Sequence, residues 1–171
     1  MHELAITVIG PDRPGIVADV AEALAEVGAN LTDSTMTRLR GHFAMTLVCA
    51  GPPTGAEIDE ALEPLTADRT LLVTVRSVVE EPVHEPAGSH HVITLHGADR
   101  LGIVATLSRT VTEAGGNITD LSTRLAGPLY VLIAEVDVPA GGADELAQQL
   151  AVAGAELGVE VTLRRAETEI L

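Results

Sequence analysis

The chain has 171 residues, 46% of them apolar and only 1% aromatic, with 25 acidic residues against ten basic ones and a formal net charge of −15. All ten basic residues are arginine, which excludes a Walker-type phosphate loop, a pyridoxal-phosphate Schiff base and a lysine general base. The same balance argues against direct nucleic-acid binding, which needs a basic patch or stacking aromatics.

No apolar run reaches the roughly 18 residues of a membrane span, and Met1-His2-Glu3 has no signal-peptide character, so a cytoplasmic protein without membrane contact is expected. Cys49 stands alone in an apolar run, which fits a core position in a reducing compartment.

In chain order, Leu4–Val8 reads as a short strand ending at a glycine. Pro14 then marks a first helical turn, and Ile16, Val17, Val20, Leu24 and Val27 recur at helical spacing until Gly28 stops the helix. Two strands follow around a tight turn at Arg40-Gly41, the later one alternating through Phe43, Met45 and Leu47. A capping-box pattern, Thr54-Gly-Ala-Glu57, opens a second helix with Ile58, Ala61, Leu62 and Leu65 on one face. A closing strand alternates through Leu71, Val73 and Val75.

The pattern then repeats. Gly97 lies 87 residues after Gly10, and the same offset pairs Asp12 with Asp99, Arg13 with Arg100, Gly15 with Gly102, Ile16-Val17 with Ile103-Val104, and Asn30 with Asn117. The strand Val92–Leu95 leads to a helix carrying Ile103, Val104, Leu107 and Val111 and stopped by Gly115-Gly116. A hairpin turning at Gly127-Pro128 comes next, its later strand alternating through Leu129, Val131 and Ile133. A helix with Leu146, Leu150, Ala153 and Leu157 and a strand with Val159, Val161 and Leu163 close the copy. Matching Arg38-Leu39-Arg40-Gly41 to Arg124-Leu125-Ala126-Gly127 shortens the offset by one, which predicts an extra residue, and hence a bulge, in the first copy between Asp33 and Arg38.

Each copy therefore reads βαββαβ, and right-handed crossovers make it a ferredoxin-like α+β layer: four antiparallel strands with helices on one face. The expected organisation is module 1 at residues 1–80, a Pro- and charge-rich linker at 81–90, and module 2 at 91–171. Each module leaves one sheet face and a strand edge uncovered, which predicts packing between modules and a homodimer.

The stretches "DRPGIV…GANLTD" and "DRLGIV…GGNITD" resemble the opening of ACT domains, regulatory modules that typically bind amino acids, and the resemblance covers both copies. Stand-alone tandem proteins of this length are similar to the glycine cleavage system transcriptional repressor family. The resemblance implies a non-catalytic amino-acid sensor acting on a protein partner, a transcription factor or an enzyme. A regulatory subunit of a metabolic enzyme and a ligand-free interaction scaffold are the alternatives.

The chemistry of such a site is readable. Each glycine-bracketed loop runs into a helix N-terminus, whose unpaired N–H groups favour a carboxylate. The resemblance places the ligand between modules, touching the first loop and the start of the second strand. The matching positions are Asp12, Arg13, Pro14, Gly15, Ile16, Asn30 and Leu31, with Asp99, Arg100, Leu101, Gly102, Ile103, Asn117 and Ile118. Small ligand side chains are expected. Structural readings stand beside these: the aspartates as helix caps, the asparagines as left-handed residues, and the arginines in ion pairs with the adjacent aspartate or the sister module.

No catalytic constellation, metal set or cofactor motif stands out. His90 and His91 are neighbours, so in a strand they point to opposite faces. His2, His42 and His84 have no ligand spacing, His96 takes the place of Ile9, and Ser108, Ser122 and Cys49 have no local partner that would mark a nucleophile.

Overall fold

The structure, a computed structural model, describes residues 1–78 and 88–166. These form two compact units, one on each stretch. In the first, β1 (His2–Pro11), α1 (Ile16–Glu26), β2 (Asn30–Leu39), β3 (His42–Gly51), α2 (Gly55–Thr66) and β4 (Leu72–Ser77) make a four-stranded sheet in the order β2-β3-β1-β4. In the second, β5 (Gly88–Ala98), α3 (Ile103–Glu113), β6 (Asn117–Ala126), β7 (Leu129–Pro139), α4 (Ala143–Leu157) and β8 (Val159–Arg165) repeat it as β6-β7-β5-β8. Every pairing is antiparallel. Both units are the expected βαββαβ layers.

Strand β5 begins at Gly88, so residues 88–90, assigned to the linker from sequence, belong to a strand. The remainder of that linker, with His84, lies outside the described residues.

Each core forms where alternate strand residues meet one helical stripe. Leu4, Ile6 and Val8 of β1 and Phe43, Met45, Leu47 and Cys49 of β3 lie under Ile16, Val20 and Leu24 of α1 and Ile58 and Leu62 of α2. The second core repeats this with Ile93, Leu95, Leu132, Ala134, Val136 and Val138 under Ile103, Leu107, Val111, Leu146 and Leu150. Cys49 is buried as expected, and burial raises its thiol pKa. His91 turns into the core, where its Nδ1 lies 3.1 Å from the Ser89 carbonyl, while His90 stays on the open face. Among the described residues no helix is long and apolar enough to cross a membrane.

The predicted one-residue insertion is absent. Both hairpins have two-residue loops, closed by Leu39 opposite His42 and by Ala126 opposite Leu129. Both edge strands bulge at the same place, Thr32 and Thr119, so the offset stays at 87 through both hairpins and lengthens to 88 only by the last strand, where Glu160 takes the place of Leu72. The glycines mislead because the turns differ. Arg40 and Gly41 both have positive φ, 50° and 81°, as in a type I′ turn, whereas Gly127 (φ 59°) comes first in its turn and Pro128 second. Aligning the two glycines shifts the register by one.

That shift also inverts a face, as a one-residue slip in a strand must. The core side of β7 is Leu132, Ala134, Val136 and Val138, while Leu129 and Ile133, read from sequence as inward, are 44% and 45% exposed.

Candidate ligand-binding loops

The segment between β1 and α1 is anchored at both ends. The Asp12 amide donates to the Gly41 carbonyl at 2.9 Å, tying the loop to the β2–β3 turn. Gly15 is the residue before the helix, with φ 91°, and Gly102 takes the same place before α3 with φ 90°. Only glycine adopts that conformation without cost. Pro14 therefore stands two residues ahead of α1 rather than inside its first turn.

No side chain caps α1 or α3, which removes the capping explanation for Asp12 and Asp99. The first-turn N–H groups, which have no partner within the helix, are left to solvent or ligand. The left-handed explanation for the asparagines also falls, since Arg40 and Arg69 are the non-glycine residues with positive φ. Asn30 and Asn117 instead begin β2 and β6, exposed.

In module 1 the loop charges are already used. Asp12 accepts from Arg38 of β2 at 3.2 Å, and Arg13 meets Asp19, in the first turn of α1, at 2.9 Å. The Arg13 guanidinium also donates to the Pro14 carbonyl at 3.3 Å. Its ion-pair partner is thus Asp19, not the adjacent aspartate.

Module 2 keeps the aspartate and arginine but not their partners. Leu125 takes the register position of Arg38, opposite Tyr130 as Arg38 is opposite Phe43, and Thr106 stands where Asp19 does. Among the described residues neither Asp99 nor Arg100 makes an ion pair or a side-chain hydrogen bond. The Arg100 guanidinium lies over Gly158, the left-handed residue ending α4, where a Cβ would meet it at 3.6 Å. Arg124, matched to Arg38 by sequence, donates to the Thr123 carbonyl at 2.9 Å.

Other expected site residues separate. Ile16 and Ile103 are 2% exposed and belong to the cores, so they offer a ligand no surface. Leu31 and Ile118 are half-buried against those cores. Leu101 is fully exposed. Asn30 pairs with Ala50 at one end of β3, while Asp12 is tied beside His42 at the other. Eight strand residues at about 3.3 Å each put these ends on the order of 25 Å apart. No single module brings its asparagine to its own loop.

Two hollows complete the local picture. One of about 490 Å³ adjoins Gly10 and Pro11 and is lined by Ile9, His42, Arg69 and Leu72, but not by Asp12, Arg13 or Gly15. Another of about 600 Å³ lies between α3 and α4, around Arg109, Thr110, Gln149 and Val152. Among the described residues no group of three or more His, Cys, Asp or Glu is gathered for a metal.

The ACT-domain family pattern matches residues 2–76 and 89–164. The chain belongs to that family. Both ACT domains are thus matched almost from first strand to last. Over 48 residues, 28% of this chain, it is 50% identical to a UPF0237 protein of Methanopyrus kandleri, spanning 53% of that protein. Over 82 residues, 47% of this chain, it is 30% identical to the glycine cleavage system transcriptional repressor of Escherichia coli, spanning 43% of it. The chain thus spans about half the length of these two relatives. A solved structure of an unknown protein from Galdieria sulphuraria superposes with a TM-score of 0.84 at 28% identity, covering 97% of this chain and 99% of that one.

Sequence reasoning missed Arg38 and Asp19. The signal was present: at a constant offset of 87, Arg38 falls on Leu125 and Asp19 on Thr106. Matching glycine to glycine aligned Arg38 with Arg124 instead and hid the difference.

Proposed function

We propose that this ACT-domain protein is a non-catalytic amino-acid sensor of the cytoplasm that works through contacts with a protein partner, as in glycine cleavage repressor-like regulation of transcription or metabolism. The observation that carries this is the repeated Asp-Arg-x-Gly loop, with its left-handed glycine, at the uncapped start of α1 and of α3. A ligand carboxylate suits the free first-turn N–H groups. The ammonium suits Asp12 or Asp99, and an asparagine serves either group.

Each asparagine lies at the far end of its own sheet, so no single module supplies both its loop and its asparagine to one ligand. Half-buried Leu31 or Ile118 beside that asparagine gives the ligand side chain an apolar wall. Among the described residues the edge strands β2 and β4 of one sheet and β6 and β8 of the other are consistent with a homodimer. The acidic chain, with no basic stripe, supports regulation through a protein rather than through nucleic acid.

Melting the protein with each of the twenty amino acids at millimolar concentration tests the reading. At a hundredfold excess over the dissociation constant, a ligand that binds only the folded state adds about 2.7 kcal/mol. Asn30→Ala or Asn117→Ala should reduce the shift while leaving the unliganded midpoint in place. If no amino acid moves the midpoint, sensing is wrong and the modules are an interaction scaffold.

A further inference from the structure

We propose that the two loops are not equivalent: the module 2 loop, Asp99 to Gly102, takes the ligand's α-amino and carboxylate groups, and the module 1 loop is closed by its own ion pairs. This rests on the amino-acid-binding reading above and says which module performs it.

A zwitterion brings one anion and one cation, so it needs a loop whose aspartate and arginine are both available. In module 1, Asp12 is held by Arg38 at 3.2 Å and Arg13 by Asp19 at 2.9 Å. Both pairs are exposed on the arginine side, Arg38 at 66% and Arg13 at 44%, and only Asp12, at 26%, is partly shielded from water. Binding there must first break both. In module 2 the backbone is the same, glycine included, but Leu125 and Thr106 replace the partners. Among the described residues, Asp99 and Arg100 meet a ligand with no prior pair to surrender.

The alternative cause of such a difference, a loop rebuilt in one copy, is ruled out by the geometry. Both glycines have φ near 90°, and the helices begin at matching residues with matching first bonds, Asp19 to the Gly15 carbonyl and Thr106 to the Gly102 carbonyl, both 2.9 Å. Besides the change of Pro14 to Leu101 and the Asp12 amide bond to Gly41, the difference lies in the charges around the loop. Part-exposed ion pairs are individually weak. Two together make module 1 about tenfold the weaker site, which corresponds to about 1.4 kcal/mol.

The test transplants the partners. Titration calorimetry of the whole chain with the amino acid that gives the largest melting shift should find one tight site per chain. Thr106→Asp with Leu125→Arg, which writes the module 1 pairs into module 2, should weaken that site at least tenfold. Asp19→Thr with Arg38→Leu should add a second site of similar affinity. The unliganded melting midpoint of each double variant checks that it folds. If the first variant does not fold, the second decides alone.

Two equal sites in the unaltered protein, or unchanged binding in both folded variants, overturns the inequivalence while leaving sensing intact. Failure of all twenty amino acids to bind overturns both.

Discussion

Module 1 and module 2 share one fold, offset by 87 through the first three strands and by 88 in the last helix and strand, yet they place charge differently on the open sheet face. On the open sheet face, Ile9 opposite Leu72 in module 1 becomes His96 opposite Glu160 in module 2, with Nε2 and Oε2 3.2 Å apart. At the far end of the same face, Glu3, Val48 and Ala50 become His90, Glu135 and Asp137. The helices diverge too. Helix α2 has Pro64 in its last turn and stops at Thr66, whereas α4 carries Val152 at the corresponding place and runs to Leu157.

The cores behave otherwise. Most of their exchanges are apolar for apolar: Met45 answers Leu132, Leu47 answers Ala134, and Cys49 answers Val136, the exception being Leu4, whose place the buried His91 takes. A buried position is constrained by volume and by the absence of water, while an exposed one only needs a compatible neighbour. Duplication has therefore kept the scaffold and freed the surface. On the open sheet face the substitutions come as a pair, an apolar cross-strand couple giving way to one that can share a proton, whereas around the first loop Leu125 and Thr106 replace the partners and the loop charges stay.

The largest effect expected tests whether the cores are interchangeable. Ile6 and Ile93 are both 0% exposed and occupy the same position in the two sheets. Ile6→Ala and Ile93→Ala should each cost about 2–5 kcal/mol. Urea unfolding of the two variants measures it. Costs agreeing within about 1 kcal/mol support equivalent cores, and a much cheaper variant would mark a module whose packing can collapse around the void.

A smaller effect separates the helix starts. Thr54 caps α2 in a complete capping box: its hydroxyl oxygen accepts from the Glu57 amide, and the Glu57 carboxylate accepts from the Thr54 amide at 2.7 Å. Helix α4 begins at Gly142 with no side-chain cap. Thr54→Ala should cost about 1 kcal/mol, whereas Gly142→Ala should lose no such cap. Thr54 holds the Glu57 carboxyl below its usual range. Its contribution is accordingly present above the ordinary glutamate value and fades as pH falls through the lowered one. Because the Thr54 amide, which chiefly lowers the carboxyl, survives in Thr54→Ala, the check is Glu57→Ala: a penalty that stays constant down to pH 3 would contradict the capping-box assignment.

Element order, helix faces and the site loops were legible because each depends on local pattern: the apolar stripe Ile16, Val20, Leu24, the box at Thr54, the glycine before each first helix. The offset through the hairpins was not, because Arg40 occupies a left-handed position where glycine is the usual signal. That single residue moved the reading of β7 by one and inverted its faces. The far placement of Asn30 from Asp12 follows from sheet topology, which chain order alone leaves invisible. The Arg38 and Asp19 pairs needed both the correct register and the fold, since Arg38 lies 26 residues from its partner.

The smallest effect sharpens the contrast between the open faces. His90 Nδ1 lies 2.9 Å from Asp137 Oδ1 and its Nε2 lies 3.4 Å from Glu135 Oε2, whereas Ala50 and Val48 offer no carboxylate at the matching places in module 1. The hydrogen bond to Asp137 raises the imidazole pKa, desolvation opposes it, and the hydrogen bond to Glu135 adds to the rise. A raised pKa means the folded state holds the proton more tightly than the unfolded chain. The resulting stability is fully present below the ordinary imidazole value of about 6.5 and is lost as pH climbs through the raised folded value. The ring is 41% exposed, so solvent screening keeps the contribution under about 1 kcal/mol. The measurement is the difference in melting midpoint between the unaltered protein and His90→Ala, taken from pH 5.5 to 8.5, which subtracts what every other titrating group contributes. That difference should favour the unaltered protein at the acid end and shrink toward the alkaline end. A difference that is flat with pH, or grows as pH rises, would mean that the two carboxylates do not hold the proton on His90 in solution.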